Sequence, residues 1–86
     1  MAELKPHAGI AQACRNAAQN MVGNDKRNLL AYAMKLEAGQ TNEEIFDTLQ
    51  PGSSNKDKGR QTRAWANKGK DLASELGISV PESNPD

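Results

Sequence analysis

The sequence predicts an all-α fold, a small bundle of about four helices, and three observations carry that expectation. Aromatic residues make up only 3% of the 86 positions. With Trp65, Tyr32 and Phe46 as single representatives, the core falls to alanine, leucine and methionine, a composition that packs closely spaced helices better than a sheet. Apolar residues recur at helical spacing in successive segments, and glycines and capping residues punctuate those segments.

In "PHAGIAQACRNAAQNM", Ile10, Cys14, Ala17 and Met21 fall on one stripe of a 3.6-residue period with Ala18 at its edge, and Gly23 is expected to end this first helix. Asn24 or Asp25 is placed to cap a second, "DKRNLLAYAMKLEA". There Leu29, Ala33 and Leu36 share a face, Tyr32 and Leu30 flank it, and Gly39 closes it. The third segment, "TNEEIFDTL", opens with Thr41 three residues before Glu44, the spacing of a capping box. Ile45, Phe46 and Leu49 form its expected buried side. After the turn "QPGSS", Ser53 or Ser54 is placed to cap a fourth helix, from about Asn55 to Leu76, with Gly77 as its stop. Met21 and Met34 read as core filler. The tail "VPESNPD" has two prolines and no apolar period, so residues 1–79 are expected to form one helical domain and 80–86 a disordered tail.

A chain of this length holds one modest core, with about 60–65% of its unfolded surface buried, so its stability margin is thin. Cys14 is the single cysteine and cannot form an internal disulfide. The N-terminus lacks a basic n-region and an apolar h-region, and no apolar run approaches the roughly 18 residues of a membrane span. Together these point to a cytoplasmic protein with no membrane association.

Eleven basic and eleven acidic residues give a formal net charge of zero, but they are unevenly placed. Residues 53–70, "SSNKDKGRQTRAWANKGK", hold Lys56, Lys58, Arg60, Arg63, Lys68 and Lys70 against Asp57 alone. Residues 41–50 and 71–86 hold only acids. On a helical wheel, Lys56, Arg60, Arg63, Asn67 and Lys70 lie within about 40° of one line, and Trp65, Leu72 and Leu76 lie near the opposite one. Lys58 and Lys68 fall nearer the apolar side, as snorkelling lysines or as a sign that the first turn is not helical. A solvated face is the plain alternative, but such faces usually mix both signs. Gly59 and Gly69 count against a rigid helix, at about 1 kcal/mol each relative to alanine.

"AGQTNEEIFDTL" resembles the first half of a helix-turn-helix of the LuxR and sigma-factor region-four type, and "GRQTRAWANKGKDLASELGIS" resembles its recognition helix. The likeness spans residues 38–79. It implies a helix-turn-helix-like arrangement of the last two helices, with Arg60, Gln61, Arg63 and Asn67 approaching bases and Lys56 and Lys70 approaching phosphates. The segment "QPGSSNKDK" makes the connection longer than the usual three- or four-residue turn. Palindromic operators would call for a homodimer, with the first helix as the place to seek its interface.

No catalytic constellation is complete, so no enzyme activity is expected. His7 and Cys14 are spaced to share a helix face, yet Cys14 sits in an apolar stripe that suits an inert core thiol. A structural zinc site needs about four His or Cys ligands and the chain has two, and glycine spacing does not match a P-loop. No cofactor or metal is expected. Glu43, Glu44 and Asp47 read more simply as helix-stabilising charges than as an acid–base pair. Two functions are left. One is a small DNA-binding transcriptional regulator using the helix from about residue 55 to 76. The other is a helical interaction module, an inhibitor or adaptor, whose basic stripe meets an acidic protein surface. The position of Trp65 separates them: buried behind the stripe in the first, exposed beside it as an anchor in the second.

Overall fold

The computed structural model describes residues 8–37, 39–78 and Val80. It has four helices, α1 (Ala8–Ala18), α2 (Gly23–Glu37), α3 (Asn42–Leu49) and α4 (Lys58–Glu75), and no strand among the described residues. The fold is an all-α small bundle.

α2 is its central element. The run "NLLAYAM" is apolar on nearly every side, and a helix of that kind has to be covered all round. One side joins Ala11, Cys14 and Ala18 of α1 and Ala73 of α4 around Leu29, Tyr32, Ala33 and Leu36. The other side, through Ala31 and Met34, meets Ile45 and Phe46 of α3 and Trp65 of α4. Tyr32 is therefore at the centre of the core and not on its flank. Its neighbours on both sides along the chain, Ala31 and Ala33, are buried as well.

α1 stops at Ala18, earlier than expected. Gly23, with φ 67°, is the first residue of α2 and not the stop of α1. Asn24 and Asp25 lie inside α2, so neither caps it from outside. A bidentate pair fixes α1 on α2: Arg15 donates from Nε and Nη2 to the two carboxylate oxygens of Glu37, each at 2.7 Å. Both side chains are about a third exposed, so the pair orients the helices more than it stabilises them. The hydrogen bond to Glu37 raises the Arg15 pKa further.

α3 begins as its sequence predicts. The Thr41 hydroxyl accepts from the Glu44 N–H at 3.2 Å, and the Glu44 carboxylate accepts from the Thr41 N–H at 2.8 Å. α4 begins later than expected, at Lys58. The preceding residues turn instead: Ser53 Oγ accepts from Asn55 N–H and Asn55 Oδ1 accepts from Asp57 N–H at 2.7 Å, a local alternative to helix. Asp57 takes the cap position without a side-chain cap bond. The far end is firmer. Ile78 N–H bonds to Ala73 C=O and Gly77 N–H to Ser74 C=O, with Gly77 at φ 84°, the pairing of a Schellman motif. Ile78 and Val80 then pack on the core, so the first residue of the expected tail is held; residues 81–86 lie outside the described residues, as does His7.

Where α4 crosses α2 the backbones nearly touch. A Cβ on Gly69 would lie 2.7 Å from the Asn28 carbonyl carbon, closer still to its oxygen, and 2.9 Å from Tyr32 Cβ. Gly69 is thus a requirement of the crossing and not merely a cost to helix stability. The buried line of α4 runs through Thr62, Trp65, Ala66, Gly69 and Ala73, while Leu72 is only half-buried and Leu76 is 45% exposed. The small residues lie underneath because that is where the backbones meet.

Gly69→Ala should lower stability by about 1–3 kcal/mol in urea titrations even though alanine favours helix, because the atoms in its way are backbone. Gly9→Ala in α1, with nothing near its Cβ position, should be neutral or stabilising. Thr41→Ala should cost about 1 kcal/mol by the same measurement.

The Tyr32 hydroxyl is buried without a hydrogen-bond partner among the described residues. Burial first, and the nearby Cys14 thiolate second, push its pKa up to about 12; burial raises that of Cys14 too. Against an unfolded value of about 10, the buried phenol stays neutral where the unfolded one ionises, so stability is unaffected by this group below that pH and is lost as pH rises from there towards 12. Absorbance of the chain's single tyrosine near 295 nm should show ionisation only as the fold is lost in that window. Tyr32→Phe, which removes the orphaned hydroxyl, should leave neutral-pH stability unchanged or higher and remove Tyr32's share of the alkaline loss.

Candidate nucleic-acid interface

α4 lies with its N-terminal half on α3 and the following turns on α2. Thr62 is fully buried, and its hydroxyl is within donating distance of the Asn42 carbonyl at 2.8 Å and the Lys58 carbonyl at 2.9 Å. This ties α4 to the first residue of α3. Asn42 is held in turn from α2, where Lys35 Nζ donates to its Oδ1 at 2.7 Å. Below the helix, Trp65 stacks on Phe46 with ring centroids 4.9 Å apart and planes 12° apart. Trp65 is 5% exposed and so belongs to the core.

With that side fixed, the outward arc of α4 carries Arg60, Arg63, Ala64, Asn67, Lys68, Asp71, Ser74 and Glu75, all exposed. Of the residues read from sequence as the binding stripe, Arg60, Arg63 and Asn67 lie together here, and Lys70 is half-buried at the margin. Lys56 is exposed in the loop before α4 and not on the helix, because the Asn55 turn displaces the helix start. Gln61, about 100° round from Arg60, is half-buried at the opposite margin of the arc, beside Lys68.

Lys58 is withdrawn from the surface charge. Its Nζ pairs with Asp47 of α3 at 2.6 Å and lies 5.8 Å from the Phe46 ring centre. It is the first residue of α4, and the stretch from Asn55 to Asp57, expected as the first turn of the helix, is not helical, which is the second of the two readings of its place near the apolar side. Lys68 is exposed, at the edge of the arc on the Trp65 side. The α3 acids each have a place in the fold: Glu44 in the capping box, Asp47 on Lys58, and Glu43 with Oε1 3.2 Å from where a Gly59 Cβ would stand.

The order of charge along α4 runs against the helix dipole. Its first turn carries Lys58 and Arg60 and no acid; its last carries Glu75 and no base. Charges at helix ends interact with the dipole by about 0.3–1 kcal/mol each, so this order costs stability. Glu43, supplied from α3, offsets part of that cost at the N-terminal end. What such an arrangement can do chemically is hold a polyanion against a rigid convex helix, with guanidinium groups and an amide presented outward.

The sequence reading missed Arg27. It projects from α2 with its guanidinium carbon 4.3 Å from the Trp65 ring centre, a cation–π contact. Burial lowers its pKa. No local pattern in "NDKRNLL" distinguishes it, because its partner is distant in sequence.

Compared with protein-family models, curated proteins and solved structures, the chain gives no match. No described helix is long and apolar enough to cross a membrane.

Proposed function

We propose that the protein is a small DNA-binding transcriptional regulator whose α4 contacts the duplex, with Arg60, Arg63 and Asn67 towards base edges and Lys70 and the loop residue Lys56 towards phosphates. The observation that carries this reading is the charge order of α4. Arg60 stands in the first turn, where the dipole disfavours a cation, and Arg63 and Asn67 follow it on an exposed arc backed by a buried tryptophan, while the last turn carries an acid and no base. Charge placed for helix stability would have the opposite order; charge placed for phosphate has this one. The helix-turn-helix likeness of residues 38–79 and the packing of α3 beneath α4 support the same assignment.

An acidic protein surface would engage the same guanidinium groups. The burial of Trp65 speaks against that alternative, because the aromatic anchor it was expected to use is not exposed.

Anisotropy of a labelled duplex titrated at several salt concentrations tests the proposal. With Arg60, Arg63, Lys70 and Lys56 on phosphates or bases, log K against log salt should fall with a slope of about −3 to −4. Arg60→Glu with Arg63→Glu should abolish binding while circular dichroism keeps the helix signal. Absence of duplex binding at low salt, or equal binding of polyglutamate, would overturn the proposal.

A further inference from the structure

Two arginines of this fold are half-buried, and they are treated differently. Arg15 is matched by both oxygens of Glu37, as expected for a structural guanidinium. Arg27 is not. No acid among the described residues forms an ion pair with it, its Nε is buried without a hydrogen-bond partner, and its Nη2 reaches only the side-chain oxygen of the adjacent Asn28 at 3.2 Å. A guanidinium has five donors in a planar fork suited to paired oxygens. This one is held over Trp65 at the boundary of core and surface, charged and under-used.

Its position relates it to α4. Trp65 and Lys68 are three residues apart and lie on one flank of the helix. Lys68 and Lys70 are two apart, about 200° round the axis, and so mark opposite flanks. Lys68 is exposed, and Asp71 three residues further on bounds the basic edge on its C-terminal side. On the α3 side, Glu43 and Asp47 bring negative charge to the first turn of α4, which directs an anionic strand away from α3 and towards the α2 flank.

We infer that Arg27 and Lys68 form a second phosphate-contacting edge beside α4, opposite Lys70, so that the helix is bordered by cations for both backbones of the groove it enters. The inference rests on the reading of α4 as the duplex-contacting helix. A phosphodiester supplies what Arg27 lacks, oxygens for a fork already oriented by the tryptophan. Lys68, which adds charge without packing, extends the edge by a turn.

The test is the same duplex titration with Lys68→Gln and Arg27→Gln, each beside its thermal midpoint. Lys68→Gln, at an exposed position, should keep the wild-type midpoint and reduce the salt slope by about 0.9, the amount for one lost phosphate contact. Arg27→Gln should do the same to the slope; where it fails to fold, Lys68→Gln decides alone. Emission of Trp65, the single tryptophan, should change when duplex is added to the wild type, because the guanidinium over its ring gains a new partner. An unchanged slope and affinity for Lys68→Gln, with binding still abolished by Arg60→Glu and Arg63→Glu, would overturn this inference and leave the proposed function standing. No duplex binding by the wild type would overturn both.

Discussion

The crossing of α2 and α4 at Gly69 is the constraint on which the remaining packing depends. Only hydrogen fits between the α4 backbone and the Asn28 carbonyl, so the two helices come closer there than side chains would allow. Close approach brings many atom pairs to contact distance, and each gains only about 0.1–0.2 kcal/mol. Summed over an interface of Gly69, Ala66, Ala73, Ala31 and Ala33, these contacts serve a core that has just three aromatic rings. The crossing also fixes the rotation of α4. Once Gly69 faces α2, Trp65 one turn earlier must lie over Phe46, and Thr62 must face the start of α3. Arg60, Arg63 and Asn67 are outward for the same reason.

Features specified by neighbours in the chain were legible in the sequence. The capping box of Thr41 and Glu44, the Gly77 stop and the burial of Ile45 and Phe46 each depend on residues within a turn of one another. What depended on distant residues was misread. Tyr32 was assigned to a flank because one helix face was sought, whereas the continuous apolar run of α2 is covered from two sides by helices that the pattern alone does not position. Gly69 read as a helix weakness because the carbonyl it accommodates is that of Asn28, far back in the chain. Leu76 was assigned to the core by its angle on the wheel, but the buried line of α4 follows its small residues.

The binding stripe divides in the same way. Arg60, Arg63 and Asn67 share a face by helical period, which sequence supplies. Lys56 was lost to a competition that period cannot register: Asn55 and Ser53 side chains bond nearby N–H groups and hold the chain in a turn where a helix was drawn. Arg27 had no sequence signal at all, since what distinguishes it is the face of a tryptophan on another helix.

The two ends of α4 differ in what holds them. The C-terminal end has its carbonyls bonded in the Schellman motif and Ile78 packed on the core, all within the chain. The N-terminal end has no side-chain bond from Asp57, cations where the dipole disfavours them, and compensation from the charge of Asp57 at the cap and of Asp47 and Glu43 of α3. A polyanion on the arc reverses the sign of that balance. Phosphate charge beside Arg60 and the first-turn N–H groups attracts both the cations and the positive end of the dipole, so the charge order that costs stability in the isolated chain contributes to binding in a complex. By linkage, any ligand that binds only the folded state returns stability as RT ln(1 + [L]/Kd), about 2.7 kcal/mol at a hundred times Kd. In a domain this small, that is comparable to what several unfavourable end charges remove. The same residues can therefore be a weakness of the free helix and the source of affinity, which is why their placement favours a functional explanation over a solvated face.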